Sequence, residues 1–284
     1  MRLRFLGSEF PPAPPAGARF HVIPVPYEKT ASYGKGTARG PAAIIAASQQ
    51  LEAFTGAGIP GNAGIHTAQA VSCAGSPATV IDRIARAVSA AVASGGIPVL
   101  LGGEHTVSLG AIKALAGTRS EFGVVQFDAH ADLRDSYEGS PFSHACVMRR
   151  ILELGVPVFQ IGVRALCLDE HRFRIARRIP HLDAAVLARR AMPRTILPAR
   201  FPRNIYISFD LDAFDPSLLP ATGTPVPGGL MWYQALELLG CVAAGRRVIG
   251  MDIVELAPQP GAHASEFTAA QLAYEMMGRA LGRL

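Results

Sequence analysis

The sequence predicts an α/β fold in which a mainly parallel sheet carries helices on both faces. Short apolar runs rich in β-branched residues alternate along the chain with patterns of helical periodicity. The 284 residues are 49% hydrophobic and 17% charged, which is typical of a globular protein with a substantial core. Because no linker, repeat or shift in composition divides the chain, we expect one domain over residues 1–284, with the proline-rich residues 1–17 as a loose lead-in.

The apolar runs are short enough to be buried strands rather than helices. In chain order, the predicted strands cover residues 19–27, 97–103, 122–130, 156–164, 204–212 and 247–256. Longer segments with helical patterns lie between and after these runs. The predicted helices cover residues 40–54, 78–93, 106–116, 144–154, 233–245 and 268–281. Alternation of this kind predicts parallel strands joined by helices.

No segment resembles a membrane span or a secretory signal. An apolar stretch without charge lies between Arg86 and Glu104, but Gly95, Gly96 and Pro98 interrupt it and it is short for a membrane span. The N-terminus lacks a sustained apolar segment followed by a small-residue cleavage site. We therefore expect a cytoplasmic protein that does not enter a membrane.

The charge and cysteine patterns argue against several other classes of protein. Arginines crowd residues 171–203 and the net charge is +5, but few aromatic residues are interleaved with them and no nucleic-acid-binding motif is present. A solvated or subunit-facing surface is favoured over a nucleic-acid site. The cysteines stand apart without a CxxC pair, which favours reduced thiols over disulfides or a zinc site. They are Cys73, Cys146, Cys167 and Cys241.

Potential metal ligands stand at three predicted strand ends. They are His105 in "GGEH", Asp128, His130 and Asp132 in "DAHAD", and Asp210 and Asp212 in "SFDLD". Residues two apart on an extended strand point the same way, and the ligand crevice of an open α/β sheet lies beyond the carboxyl ends of its strands. No GxGxxG directly follows the first predicted strand and the chain has no GxxxxGK[ST], so the usual nucleotide cradles are absent.

The charges of these side chains predict a binuclear metal site. Four buried aspartates would be very unfavourable without cations, and two divalent ions supply the matching positive charge. A ligand set rich in oxygen with one imidazole per ion suits Mn²⁺ better than a structural Zn²⁺. Two such ions can hold a shared water as hydroxide and polarise the group that it attacks, which is hydrolysis. Each motif alone could be an ordinary turn, but three at separate strand ends favour the metal site.

The ordered motifs "GGEH" (102–105), "DAHAD" (128–132) and "SFDLD" (208–212), with "DIVEL" (252–256), resemble the ureohydrolase family of arginases and agmatinases. The resemblance extends from "PYEKTASYGKGTARGPAAI" to "FTAAQLA". It implies a three-layer α/β/α arginase-like fold, two Mn²⁺ ions per subunit and hydrolysis of a guanidinium group to urea and an amine. It also implies a homo-oligomer, a trimer or a hexamer.

The resemblance assigns roles to individual residues. The first manganese would take His105, Asp128, Asp132 and Asp210, and the second would take His130, Asp128, Asp210 and Asp212. Asp128 and Asp210 would bridge the ions, and Asp132 would also orient the hydroxide between them. His144 matches the histidine that delivers a proton to the leaving amine, and Glu255 matches the carboxylate that pairs with the guanidinium. The remaining histidines match no ligand position: His21, His66, His171, His181 and His263.

One residue departs from the family pattern. Glu104 stands where the family most often has Asp before the first ligand histidine. We expect its longer side chain still to orient His105 as a hydrogen-bond acceptor.

The substrate is predicted from the loop after "DAHAD". Residues 133–143, "LRDSYEGSPFS", lack the Asn, Ser and Thr pattern with which arginases bind the amino-acid end of arginine. We therefore expect agmatine, cleaved to putrescine and urea in polyamine biosynthesis. N1-aminopropylagmatine, guanidinobutyrate and arginine are the alternatives. Asp135, Glu138, Asp169 and Glu170 are candidate partners for the distal ammonium of this small cationic substrate.

Two other classes of function remain open at this stage. Metal-dependent deacetylases share the arginase-like fold but keep one metal, and the extra ligands Asp132 and Asp212 together with His105 argue for two. A non-catalytic metal-binding regulator would not need Glu255 and His144.

Overall fold

A computed structural model describes residues 3–118, 120–189 and 195–282. In these ranges the strands are β1 (Phe20–Val25), β2 (Ile65–Thr67), β3 (Ile97–Gly102), β4 (Gly123–Phe127), β5 (Val158–Ile161), β6 (His181–Leu182), β7 (Asn204–Asp210) and β8 (Arg247–Val254). The helices are α1 (Gly40–Ala47), α2 (Pro77–Ala93), α3 (Val107–Ala116), α4 (Val147–Glu153), α5 (Leu168–Ala176), α6 (Ala184–Leu187), α7 (Trp232–Ala243) and α8 (His263–Ala280).

The strands form one sheet in the order β2-β1-β3-β8-β7-β4-β5-β6, and all seven neighbouring pairs are parallel. This confirms the predicted α/β class and the parallel sheet. Pattern reading missed β2, β6, α5 and α6. The two strands have three and two residues, and α6 has four, so none is long enough to show a period. The sequence of α5 is dominated by charge and was interpreted only as part of the arginine-rich segment.

The sheet separates two apolar layers. Successive residues of a strand point to opposite faces, so Val99 and Leu101 of β3 pack on one side while Leu100 packs on the other. The first layer includes α1, α7 and α8, and the second includes α2, α3 and α4. This accounts for the continuous apolar runs in the sequence, because strands covered on both faces need no polar positions.

The N-terminal segment is packed rather than loose. Phe5 and Leu6 are buried in the core, and the Leu6 N–H donates to Ser48 Oγ at 2.9 Å. The expectation of a loose lead-in is therefore wrong at these positions. In the ranges that the structure describes, no helix has the length and apolarity needed to cross a membrane.

The centre of the sheet positions the candidate ligands. Strands β8 and β7 lie between β3 and β4, so the carboxyl ends of four adjacent strands meet at one edge. β4 ends at Phe127 and β7 at Asp210, which is earlier than predicted. The motif residues that follow lie in turns rather than on extended strand.

Candidate metal centre

The two aspartate motifs form the same local turn. In each one, the carboxylate of the first residue accepts the backbone N–H of the residue two positions later. Asp128 Oδ1 accepts from His130 N at 2.6 Å, and Asp210 Oδ1 accepts from Asp212 N at 2.9 Å. Such turns are typical of aspartate because its short side chain reaches its own backbone. The spacing of two therefore reflects this turn, and the prediction of an extended strand through the motifs was wrong.

The structure brings the six candidate ligands together. Two groups have donor atoms within 4.8 Å of one another: His105 with Asp128 and Asp132, and His130 with Asp128 and Asp212. Asp128 belongs to both groups and can bridge two ions. Asp210 Oδ2 lies 3.4 Å from His105 Nδ1, which places this carboxylate beside the first group.

The ring of His105 is oriented for metal binding. Its buried Nδ1 faces carboxylate oxygens of Asp128, Asp132 and Asp210 at 3.1, 3.0 and 3.4 Å, yet none of these contacts has hydrogen-bond geometry. Its Nε2 lies 2.9 Å from Ser208 Oγ, which in turn donates to Asp252 at 2.8 Å. A proton on Nε2 leaves the Nδ1 lone pair directed among the carboxylates, as a metal ligand requires.

The second group is held in a similar way. His130 Nδ1 lies 2.9 Å from Asp212 Oδ2, while Asp212 Oδ1 accepts the Ala129 N–H at 3.0 Å. Asp128 Oδ2 accepts Gln126 Nε2 at 2.7 Å, and Gln126 accepts Gln160 Nε2 at 2.6 Å. Both carboxylates are thereby fixed by groups that lie beyond the ligand cluster.

The electrostatics of the cluster favour added positive charge. Burial, reinforced by the carboxylate of Asp128, raises the pKa of Asp132 to about 7. Burial and the carboxylates of Asp212 and Asp128 also raise the pKa of Asp210. Burial opposes protonation of His130, but Asp212 and Asp128 outweigh it and raise its pKa to about 12. Carboxylates packed this closely require protons or cations to balance them, so the donor set fits a pair of divalent cations.

Two residues at the site have left-handed backbone conformations that are uncommon outside glycine. Asp132 has φ 54° and Glu255 has φ 66°. The Asp132 carbonyl accepts the N–H groups of Met148 and Arg149, both at 3.1 Å, and Glu255 N donates to Gly103 O at 2.8 Å. Such a conformation persists only where its surroundings impose it, and it is concentrated at functional sites.

Glu255 and His144 lie beside the cluster of candidate ligands. Glu255 directly follows β8, and its Oε1 accepts a hydrogen bond from the backbone N–H of His105 at 2.6 Å. Both residues line a crevice of about 20 Å³ with Asp132, Asp210 and Asp212. A larger cavity of about 370 Å³ shares His144 and Asp132 with this crevice and extends to Tyr137, Cys167 and Glu170.

Glu104 has a different role from the predicted one. Its carboxylate accepts the N–H groups of Lys29 and Thr30, both at 2.7 Å, and the Thr30 hydroxyl at 2.7 Å. Ser208, not Glu104, contacts the ring of His105. The expectation that Glu104 orients this ligand is wrong, because its longer side chain turns toward the segment after β1.

The four candidate partners for the distal ammonium of the substrate differ in their exposure and in their position relative to the site. Glu170 is buried and lines the larger cavity. Asp135 is 75% exposed and pairs with Arg150, and Asp169 is 90% exposed and lies 3.5 Å from Arg172. Glu138 is also exposed. Only Glu170 among these four borders the site.

Among the described residues, neither the remaining histidines nor the arginine-rich segment contributes to the cluster. The rings of His21 and His66 pack at a tilt with their centroids 5.4 Å apart, and His263 is 85% exposed. In the arginine-rich segment, Arg174 is buried and pairs with Asp183, so part of that charge is neutralised internally. Residues 190–194 of this segment lie outside the described ranges.

Sequence reasoning missed several polar residues that support the ligands. Gln126 and Ser208 each stand two positions before a ligand aspartate, inside otherwise apolar strands. A polar side chain two residues before a candidate ligand at a strand end lies on the same face of the strand. This pattern could have been recognised in the sequence. Asp252 carries a similar signal within "DIVEL". No sequence signal marks Thr30, because it approaches Glu104 and His144 only in the folded chain.

Comparisons with known proteins agree with this geometry. The family model described as the arginase family matches residues 18–278. The N(1)-aminopropylagmatine ureohydrolase of Synechocystis sp. is 39% identical over 275 residues, covering 93% of this chain and 89% of that protein. The agmatinase of Pyrococcus horikoshii is 34% identical over 280 residues, covering 97% and 96%.

A solved structure is similar over nearly the whole chain. The agmatine ureohydrolase of Thermoplasma volcanium superposes with a TM-score of 0.88 at 29% identity, covering 99% of this chain and 95% of that one. The family match, the curated relatives and the shared architecture agree with the metal-ligand geometry. The chain belongs to the arginase family.

Proposed function

We propose that this protein is a metal-dependent hydrolase that cleaves the guanidinium group of agmatine to urea and putrescine. The observation that carries the proposal is the convergence of the ligand cluster, Glu255 and His144 on one crevice. Metal ligands alone would fit many functions. A buried carboxylate and a histidine beside them suit a planar cation that must be held and then cleaved.

The proposed cofactor is a pair of Mn²⁺ ions in each subunit. His105, Asp128, Asp132 and Asp210 would hold the first ion, and His130, Asp128, Asp210 and Asp212 would hold the second. A site with mainly oxygen donors and one imidazole per ion suits Mn²⁺. When bound, such a pair of cations activates water and stabilises the charge that develops during hydrolysis.

Glu255 is the proposed guanidinium-binding residue. The backbone N–H of His105 occupies one lone pair of Glu255 Oε1. This leaves Oε2 and the second lone pair of Oε1 for the substrate. A carboxylate can accept two parallel N–H donors from a planar guanidinium. Because the position of Glu255 after β8 is fixed, this contact would hold the guanidinium carbon over the ligand cluster.

His144 is the proposed proton carrier, and Asp132 would orient the attacking water. Burial lowers the pKa of His144, with the nearby carboxylate of Glu104 acting in the opposite direction. The ring is therefore neutral at pH 7. It can take a proton from the attacking water and pass it to the leaving amine nitrogen.

N1-aminopropylagmatine is a second candidate substrate. The cavity of about 370 Å³ next to the crevice offers room for a tail longer than that of agmatine, and it contains the Tyr137 ring and the Glu170 carboxylate. Two of the relatives that carry this substrate in their names are 39% and 40% identical to the chain. Cleavage of this substrate would leave a triamine and urea.

Urea release from manganese-loaded protein tests both candidates. The panel contains agmatine, N1-aminopropylagmatine, guanidinobutyrate and arginine, with metal-stripped protein as the control. We expect agmatine to give the highest kcat/KM. A higher value for N1-aminopropylagmatine would establish the second candidate, and no urea from any of the four would overturn the proposed function.

Three further features belong to this proposal. We propose that residues 1–284 form one domain, that the protein is cytoplasmic and that it assembles as a homotrimer or homohexamer. Light scattering after gel filtration measures the subunit number directly, and a monomer at micromolar concentration would contradict the assembly.

A further inference from the structure

Glu104 is a fully buried carboxylate at the edge of the metal centre, and donors surround it. Its Oε2 accepts the N–H groups of Lys29 and Thr30, both at 2.7 Å. Its Oε1 accepts the Thr30 hydroxyl at 2.7 Å and lies 3.0 Å from the Thr106 hydroxyl. Since backbone N–H groups can only donate, this carboxylate is the acceptor for the whole turn at residues 29–30.

The Thr30 hydroxyl connects Glu104 to His144. A threonine hydroxyl has one proton to donate, and Thr30 gives it to Glu104. Toward other groups its Oγ1 is an acceptor. The backbone N–H of His144 donates to this oxygen at 3.0 Å, and the ring nitrogen Nδ1 of His144 lies 3.2 Å from it. The Ser143 hydroxyl is farther from Nδ1, at 3.5 Å. An acceptor facing Nδ1 requires the imidazole proton to be on that nitrogen.

We propose that Glu104 and Thr30 are positioning residues, which keep the proton of His144 on Nδ1 and leave Nε2 unprotonated for the crevice. The partner of one ring nitrogen sets which nitrogen carries the proton. Carboxylates orient catalytic histidines in this way by direct contact. In this protein the carboxylate acts through an intervening hydroxyl.

An unprotonated Nε2 is what the proposed reaction requires, and this step rests on the proposed function. Nε2 takes one proton from the attacking water and then gives one proton to the leaving amine nitrogen. The ring is neutral before and after the cycle. The opposite tautomer would present an N–H to the crevice and could not accept the first proton.

The backbone near Gly103 makes this contact possible. A Cβ at this position would overlap the carbonyl oxygen of Tyr27, so the approach of the two segments needs glycine. The Glu104 N–H donates to the same carbonyl at 2.9 Å. The segment after β1 thus lies directly against Glu104, which brings Thr30 within reach of its acceptor.

The tautomer of His144 can be measured without any substrate. The probe is zinc-loaded protein with isotope-labelled histidine, in which NMR resonances of His144 are assigned by their loss in His144→Asn. We expect an Nδ1–H tautomer in the unmodified chain and in Thr30→Ser, and loss of this preference in Thr30→Val and Glu104→Gln. An Nε2–H tautomer in the unmodified chain would overturn the inference, whatever the enzyme cleaves.

A double-mutant cycle tests the functional consequence. We expect Thr30→Val to lower kcat by about tenfold or more with little change in KM or metal content, and Thr30→Ser to restore it. In the His144→Asn background, Thr30→Val should have no further effect, because both changes remove the same function. Equal losses in both backgrounds would show that Thr30 acts elsewhere and would overturn the inference. If the unmodified enzyme releases no urea, the proposed function fails while the NMR result still decides the tautomer.

Discussion

His105 follows β3 and Ser208 lies in β7, on the two sides of β8, and Nε2 of the imidazole is 2.9 Å from the serine hydroxyl. This contact leaves Nδ1 as the nitrogen that faces the carboxylates of the candidate metal centre. We expect Ser208→Ala to weaken binding of Mn²⁺ by about 10- to 100-fold, because the ring loses the partner that fixes its orientation. Titration of metal-stripped protein measures the change. Ser265→Ala removes a buried hydroxyl that has no hydrogen-bond partner in the part of the chain that the structure describes, so it is the matched control. Equal affinities in the two variants would contradict the prediction.

Asp128 belongs to both groups of candidate ligands. We therefore expect Asp128→Asn to remove both metal ions and the activity together rather than one ion at a time. Elemental analysis after gel filtration gives the metal content. Asp215→Asn, at an aspartate held by Ser217, Gly228 and Gly229, should keep both ions. Two tightly bound ions in Asp128→Asn would refute the assignment of the ligands.

Metal binding should release protons, and acid should weaken it. The raised pKa values of Asp132 and Asp210 mean that their protonated forms are favoured before a cation binds, and the pKa of His130 near 12 has the same effect. A cation must displace these protons, so lowering the pH toward and below 7 favours the proton over the metal. Calorimetry in buffers of different ionisation enthalpy counts the protons, and a binding heat independent of buffer would contradict this expectation.

His144→Ala should lower turnover by about 10²- to 10⁴-fold while the metal content stays unchanged. Burial lowers the pKa of this histidine, so its neutral form persists to a pH below 6.5. In the unmodified enzyme, loss of kcat/KM through protonation of His144 should therefore begin below pH 6.5. Rate profiles in the two proteins test this, and unchanged kinetics in the variant would rule out the proton-carrier role.

Cys167 lines the larger cavity and offers a way to separate the two candidate substrates. The backbone N–H of Cys167 donates to Glu170 at 2.9 Å, and a substitution of the side chain keeps that contact. Cys167→Phe should narrow the cavity and raise KM for N1-aminopropylagmatine by about tenfold or more, with a smaller effect on the shorter agmatine. Parallel effects on both substrates would mean that the tail does not occupy this cavity.

Much of the candidate site could be predicted because the sequence shows where the strands end. His105, Asp128 and Asp210 follow apolar runs that pattern reading located to within a few residues, and parallel strands bring their carboxyl ends to one edge. The candidate ligands could therefore be identified before their neighbours were known.

The remaining details depend on tertiary contacts that no local pattern encodes. The left-handed turn at Asp132 is imposed by α4, whose N-terminal N–H groups bind its carbonyl. The direction of Glu104 is decided by the turn at Lys29 and Thr30, about 75 residues earlier in the chain. Neither relationship follows from the period of the surrounding residues.

The order of strands has a consequence for the synthesis and folding of this chain. β8 is the last strand in the sequence but lies between β3 and β7 at the centre of the sheet. A nascent chain that has produced β3 and β4 therefore cannot complete the centre of its sheet until residue 254 has left the ribosome. Contacts so distant in sequence form slowly, and until β8 is added the partly built sheet would expose the edges of β3 and β7. The affinity for metal should appear late, in a single step, when β8 enters its gap.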